Sequence, residues 1–270
     1  MINTSNDKTA DSWIHLQDLL FQDCYDPSID RFRSSFVYRG LSDNSYELKT
    51  TLIRLGGSYY KMEKHLLRNF RKYAGPESVS KDLIWNWLSV AQHHGLPTRL
   101  LDWTFSPYVA LHFATANREK FDQDGVIWCI NYIKIREFMP KILQDEIEQE
   151  KSLGFTVEML NKICPNLDEF ENLKHGEDDF VIFFEPPSLD QRIINQFALF
   201  SVLSNSTLNL DTWLSQKKDL YYRIIIPAKM KWEIRDKLDQ VNITERVMFP
   251  GLDGLGAWLR RWYGTKGTIE

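Results

Sequence analysis

The stretch Ala91-Gln92-His93-His94-Gly95-Leu96-Pro97-Thr98-Arg99-Leu100-Leu101-Asp102-Trp103-Thr104-Phe105-Ser106-Pro107 organises the chain. It sets histidines, an arginine, an aspartate and several hydroxyl side chains between two apolar helical patterns. Gly95 and Pro97 break the first pattern. Ser106 and Pro107 open the second, with Ser106 as cap and Pro107 at the first helical position. A polar segment between two buried helices can build a binding site or a well-capped turn. The flanking chain has to decide between them.

Upstream, residues 82–93 show helical spacing through Ile84, Trp87, Leu88 and Ala91. Residues 59–73 form an amphipathic helix with Met62, Leu66, Phe70 and Tyr73 near one face. The opposite face holds Lys61, Lys64, Arg68, Arg71 and Lys72. It reads as a solvated surface, or more sharply as a patch facing an anion or a partner. Residues 35–40 predict a short strand ending in glycine. Residues 12–22 predict a helix capped by Asp11 or Ser12, and residues 1–11 are expected to be disordered.

Downstream, residues 106–118 predict a helix whose small residues, such as Ala110 and Ala114, suit close packing against the core. Residues 125–132 predict a central strand, apolar on both faces. The charged segment 134–178 reads as a helical insertion, most solvated over 141–151. Strands follow at 179–185, 196–203 and 220–227, and helices at 228–240, 244–249 and 251–262. Helices dominate the first half and strands the second, so the class is α+β rather than a wound parallel sheet. Residues 12–265 are expected to form one domain.

The 270 residues suit one large domain or one domain with a helical appendage. Nine Trp and sixteen Phe promise an aromatic core or a lined cleft. A net charge of −4 argues against a broad nucleic-acid footprint. Cys24, Cys129 and Cys164 are far apart and odd in number, which points to reduced thiols and a cytoplasmic location. There is no run of about 18 apolar residues, so no membrane span is expected.

Several groups could carry chemistry. Arg39 leaves a strand beside Gly40, where its fork could grip a phosphate or another ribose-linked anion. His93, His94, His112 and Asp102 lack metal-ligand spacing, so no metal site is expected. One of the adjacent histidines caps a helix end while the other reaches a cleft or a core partner. Arg99 and Asp102 read as an internal ion pair. Thr104 and Ser106 place hydroxyls before a helix N-terminus, which suits a phosphate or simple capping. Gln196 starts an apolar strand, near Asp190, Arg192 and the further carboxylate Glu185.

These residues resemble a known family. The segments Phe36-Val37-Tyr38-Arg39-Gly40, 91–104 with Ser106-Pro107, Arg192 with Gln196 and Phe200, and Phe249-Pro250-Gly251-Leu252-Asp253-Gly254-Leu255 look like the bacterial and phage FRG domain, over about residues 30–255. A second resemblance is to ADP-ribosyltransferase folds. Arg39 matches their first-strand arginine. Thr104 and Ser106 before Ala110-Leu111-His112-Phe113 match their hydroxyl motif. Asn195-Gln196-Phe197-Ala198-Leu199-Phe200 is similar to a strand in which the family carries its catalytic Glu, here Gln196.

That resemblance implies a split antiparallel β core with helices flanking an NAD cleft. It assigns Arg39, Thr104, Ser106 and Gln196 to catalysis. It assigns Tyr38, Arg39, Gly40, His94, Arg99, Thr104 and Ser106 to NAD as substrate. The implied activity is that of an ADP-ribosyltransferase or NAD glycohydrolase in toxin or phage-defence biology, on an unspecified target. A neutral Gln can hold a ribose hydroxyl but cannot stabilise an oxocarbenium ion electrostatically. Two alternatives stand beside it. One is a non-catalytic module that reads a nucleotide or protein through the same cleft. The other is a purely structural network of Arg99, Asp102, Trp103 and His94.

Overall fold

The apolar run 125–131 forms a strand that is buried along nearly its whole length and sits inside a seven-stranded sheet. The structure, a computed structural model, describes residues 4–173, 176–188 and 190–265. Its strands are β1 (Asp7–Thr9), β2 (Tyr25–Asp26), β3 (Arg31–Phe32), β4 (Phe36–Leu41), β5 (Leu100–Thr104), β6 (Gly125–Asn131), β7 (Val181–Phe184), β8 (Ala198–Leu203) and β9 (Tyr221–Ile226). The main sheet has the order β1-β9-β6-β4-β5-β8-β7, while β2 and β3 pair separately. Only the β1–β9 pairing in the main sheet is parallel. With thirteen α-helices among the described residues, the class is α+β, as expected.

Neighbouring residues on a strand face opposite sides of a sheet, and the two sides here carry separate cores. Val37, Val126 and Trp128 belong to the larger core, with Trp85, Phe170 and Phe184. Tyr38, Ile127 and Cys129 belong to the smaller one, with Leu16, Ala110, Ala114 and Ile234. Helices therefore cover both faces. The helix Pro107–Ala114 lies so close to β4 that only glycine fits at position 40. Ser106 caps it by accepting from the Val109 N–H, and Ser12 caps Trp13–Phe21 by accepting from the His15 N–H.

Three expectations need correction. The segment between the two apolar helices is not only a polar turn, because Leu100–Thr104 is the interior strand β5. Its side chains are buried except that of Asp102, and strand pairing takes up the backbone of a segment whose local signals read as loop. The N-terminus is ordered before residue 12, since β1 pairs with β9 and Asp7 receives two hydrogen bonds from Arg223; residues 1–3 lie outside the described set. The charged segment is also more than a solvated insertion. Its helices Lys141–Glu150, Val157–Ile163 and Leu167–Asn172 bury Leu143, Ile147, Leu160 and Phe170 in the larger core. The segment's residues 174 and 175 lie outside the described set.

Candidate functional site: a cleft at the β4–β5 joint

The sheet is weakest at its middle. β4 pairs with β6 from Phe36 to Leu41, and β5 pairs with β8 from Leu100 to Thr104. Between β4 and β5 the register holds a single pair, Tyr38 with Thr104. The strands diverge beyond it and leave a cavity of about 230 Å³. Its polar lining comes from Arg39, Gln92, Asp102, Thr104, Arg192 and Gln196. Polar side chains from distant parts of the chain converging on one concavity are the usual signature of a binding site.

Arg39 and Asp102 form one wall. Arg39 Nη1 donates to the Asp102 carbonyl at 2.5 Å and lies 3.7 Å from Asp102 Oδ2. Gln92 Nε2 donates to that same carboxylate oxygen at 2.9 Å. The Arg39 side chain is 18% exposed and that of Asp102 58%, so the arginine is held and the carboxylate faces solvent. Burial lowers the Arg39 pKa, with Asp102 opposing and Arg54 adding to the shift. Arg39 Nε is buried and has no hydrogen-bond partner among the described residues, which leaves a donor for a ligand.

The other wall comes from the helix Gln191–Asn195. Asp190 caps it by accepting from the Ile193 N–H, and also meets His93 Nε2 at 2.7 Å. Burial tends to raise the Asp190 pKa, but the Ile193 N–H and His93 outweigh it and lower the value. Arg192 reaches the cleft with its guanidinium 5.1 Å from the Phe249 ring centre and donates to the His93 carbonyl at 3.5 Å. Gln196 Nε2 donates to the Met248 carbonyl at 2.9 Å, and Asn195 Nδ2 to that of Val247 at 2.8 Å. The segment Val247 to Phe249 thus supports this wall. The cleft holds two arginines and one carboxylate, a local excess of positive charge.

The expected site residues fall into two groups. Arg39, Thr104 and Gln196 line the cleft, as do Tyr38 and Gly40. The Thr104 hydroxyl accepts from the Ser106 N–H, and the Tyr38 hydroxyl is engaged with Ser34 at 2.9 Å. Gly40 admits the helix Pro107–Ala114 rather than a ligand. Gln196 ends the helix Gln191–Asn195 instead of starting β8, because Phe197 has a φ of 47° and breaks the strand there.

Ser106 is outside the lining and acts as a helix cap. His94 is exposed at the end of the helix Ile84–His93, and it is His93 that meets Asp190. Arg99 does not pair with Asp102. Arg99, at the bend before β5, is buried against Glu63, with Nε at 2.7 and 2.9 Å from its carboxylate oxygens, and reaches Glu171 at 2.6 Å. Exposed Glu185 also lies outside the lining. Of the proposed structural network, Trp103 is held by its own bond to Ser201, separately from Arg99. Gln92 and Arg192 stand in the segments that carry the FRG resemblance, but no local pattern in the sequence assigns either of them to the cleft.

A buried ionic cluster ties the helix Pro107–Ala114 to the C-terminal helices. Arg235 Nη1 meets His112 Nδ1 at 2.8 Å, and Arg235 Nη2 meets Glu245 Oε1 at 2.8 Å. Arg261 joins Glu245 and Asp239, each at 2.6 Å. Burial, reinforced by Arg235, lowers the His112 pKa to about 3. Burial alone would raise Glu245, but Arg261 and Arg235 lower it to about 2.

Unfolded His112 takes up a proton near its ordinary pKa of about 6.5, while the folded protein keeps it neutral to about pH 3. The stability from neutral His112 is therefore complete above 6.5 and lost as pH falls through that window. Between pH 7 and pH 5 this residue should remove about 2 kcal/mol, read from denaturant unfolding at the two values. His112→Gln should flatten that difference.

The fold and cleft define an α+β protein with a polar concavity at a splayed strand joint. Residues 34–123 match the family model of the FRG domain. The match to the FRG domain is confined to this span, which holds Arg39, Gln92, Asp102 and Thr104 but ends before Arg192 and Gln196. No curated protein and no solved structure matches the chain. Among the described residues, no helix is long and apolar enough to cross a membrane.

Proposed function

We propose that the β4–β5 cleft binds an anionic nucleotide, with NAD the favoured ligand, in the manner of an ADP-ribosyltransferase. One observation carries this reading: Arg39 and Arg192, far apart in the chain, enter one cavity with Gln92, Thr104 and Gln196 around them. Two guanidinium groups suit phosphate oxygens. The β4–β5 joint, where a single residue pair links the two halves of the sheet, supports the split-core reading. A cavity of about 230 Å³ is small for a dinucleotide, so it takes one part, a ribose with its phosphate, and leaves the rest at the mouth. A toxin or phage-defence setting belongs to this proposal as the family resemblance implies it.

Gln196 is neutral and its amide is committed to Met248, so it does not replace a catalytic glutamate. Asp102 is the one carboxylate in the cleft lining among the described residues. In a transfer reaction the glycosidic bond of NAD breaks, nicotinamide leaves with the bonding pair, and Asp102 faces the resulting oxocarbenium ion. Water or a nucleophile of the target then forms the new bond to the anomeric carbon and releases its proton to solvent. The position of Gln196 favours a second reading, a nucleotide reader without turnover.

Incubation with NAD and assay for free nicotinamide separates the two. A transferase or glycohydrolase releases nicotinamide, and Asp102→Asn suppresses that by about 100-fold or more while keeping affinity within a few-fold. Binding without release identifies the reader. If neither NAD nor ADP-ribose raises the melting temperature of the folded protein, the nucleotide reading fails.

A further inference from the structure

A second concavity, larger than the cleft, lies along the helix Tyr59–Ala74, whose basic face stood out in the sequence. It measures about 540 Å³, within the range of small-molecule pockets. Its walls include Leu67, Val79, Ile84, Trp87 and Leu167. Lys64, Arg68, Arg71 and Lys72 line it from one helix.

These cations are not equivalent. Lys64 is paired with Asp168. Arg71 Nη2 bonds Asp82 at 2.6 Å and stacks 5.5 Å from the Trp87 ring centre. The Trp87 indole N–H donates to the same Asp82 at 2.7 Å. Arg68 and Lys72 have no carboxylate partner among the described residues. Arg68 touches the His65 ring at 3.0 Å, and Lys72 sits over Tyr73 at 5.3 Å. Both are exposed and stand four residues apart, about one helical turn.

An apolar trough with two uncompensated cations on one edge is complementary to a molecule that is apolar along its length and anionic at one end. We infer that this groove is a binding site for a small anionic amphiphile, with an acyl or comparably apolar body against Trp87, Ile84 and Leu67 and a carboxylate or phosphate head on Arg68 and Lys72. The pocket shares no lining residue with the β4–β5 cleft, so this site is independent of the nucleotide reading.

The test is calorimetric titration of the whole protein with dodecanoate and with dodecyl phosphate, both below their micelle-forming concentrations, and with dodecyltrimethylammonium as the cationic counterpart. The expected result is saturable binding of one or both anions at a single site, with no saturable binding of the cation. Arg68→Glu/Lys72→Glu alters only exposed side chains and should fold as the wild type, and it should weaken the anions at least tenfold. Whichever anion binds more tightly identifies the head group. Absence of saturable anion binding overturns the inference, as does equal binding of the cation or unchanged affinity in the double variant.

Discussion

Gly40→Ala is expected to destabilise the fold by about 3 kcal/mol or more. A Cβ at position 40 would lie 1.8 Å from the Ala110 carbonyl oxygen and 2.6 Å from the Ala114 nitrogen. Both are backbone atoms of the helix Pro107–Ala114, so no rotamer change relieves the clash. The helix or strand β4 has to move, and Arg39 moves with it. Gly256→Ala is the control, because a Cβ there meets nothing within 4 Å and alanine favours the helix. Denaturant midpoints should fall sharply for the first variant and stay level or rise for the second. A wild-type midpoint for Gly40→Ala would refute the close strand–helix approach.

Arg99→Met should cost about 3–5 kcal/mol, because it leaves Glu63 charged and buried without its partner. The carboxylate of Glu171 is 36% exposed and can rehydrate, whereas Glu63 cannot. Replacing both members, as Glu63→Leu/Arg99→Met, should recover most of the loss, since an apolar pair of similar volume carries no desolvation cost. Chemical unfolding of the three proteins checks this. Arg99 lies outside the cleft, so these variants should keep cleft-ligand affinity once folded. A loss of affinity in a folded variant would return Arg99 to the ligand site.

Much of this architecture was legible because it rests on local periodicity. The run 125–131, the caps Ser12 and Ser106, and the two-sided helix Tyr59–Ala74 announce themselves within a few turns of chain. β5 does not, because Gly95, Pro97, Thr98, Thr104 and Ser106 around it give loop signals that long-range pairing with β8 overrides. The site was legible in part for the same reason. Arg39 and Thr104 stand in motifs, but the distribution of charge between Arg99, Asp102 and Arg39 depends on which way each side chain faces. A three-residue spacing predicts Arg99 with Asp102; Arg99, at the bend before β5, turns to Glu63, and Asp102, on β5, faces Arg39. Arg192 reaches the cleft only through contacts with His93 and Phe249, which no local pattern records.

The central claim is that Arg39 and Arg192 act together on one anionic nucleotide. Calorimetric titration of NAD into the wild-type chain, beside Arg39→Ala and Arg192→Ala shown to be folded by circular dichroism, tests it most directly. The account predicts saturable single-site binding that weakens at least tenfold, about 1.4 kcal/mol, in each variant. No binding to the folded wild type, or equal affinity in all three proteins, would contradict it.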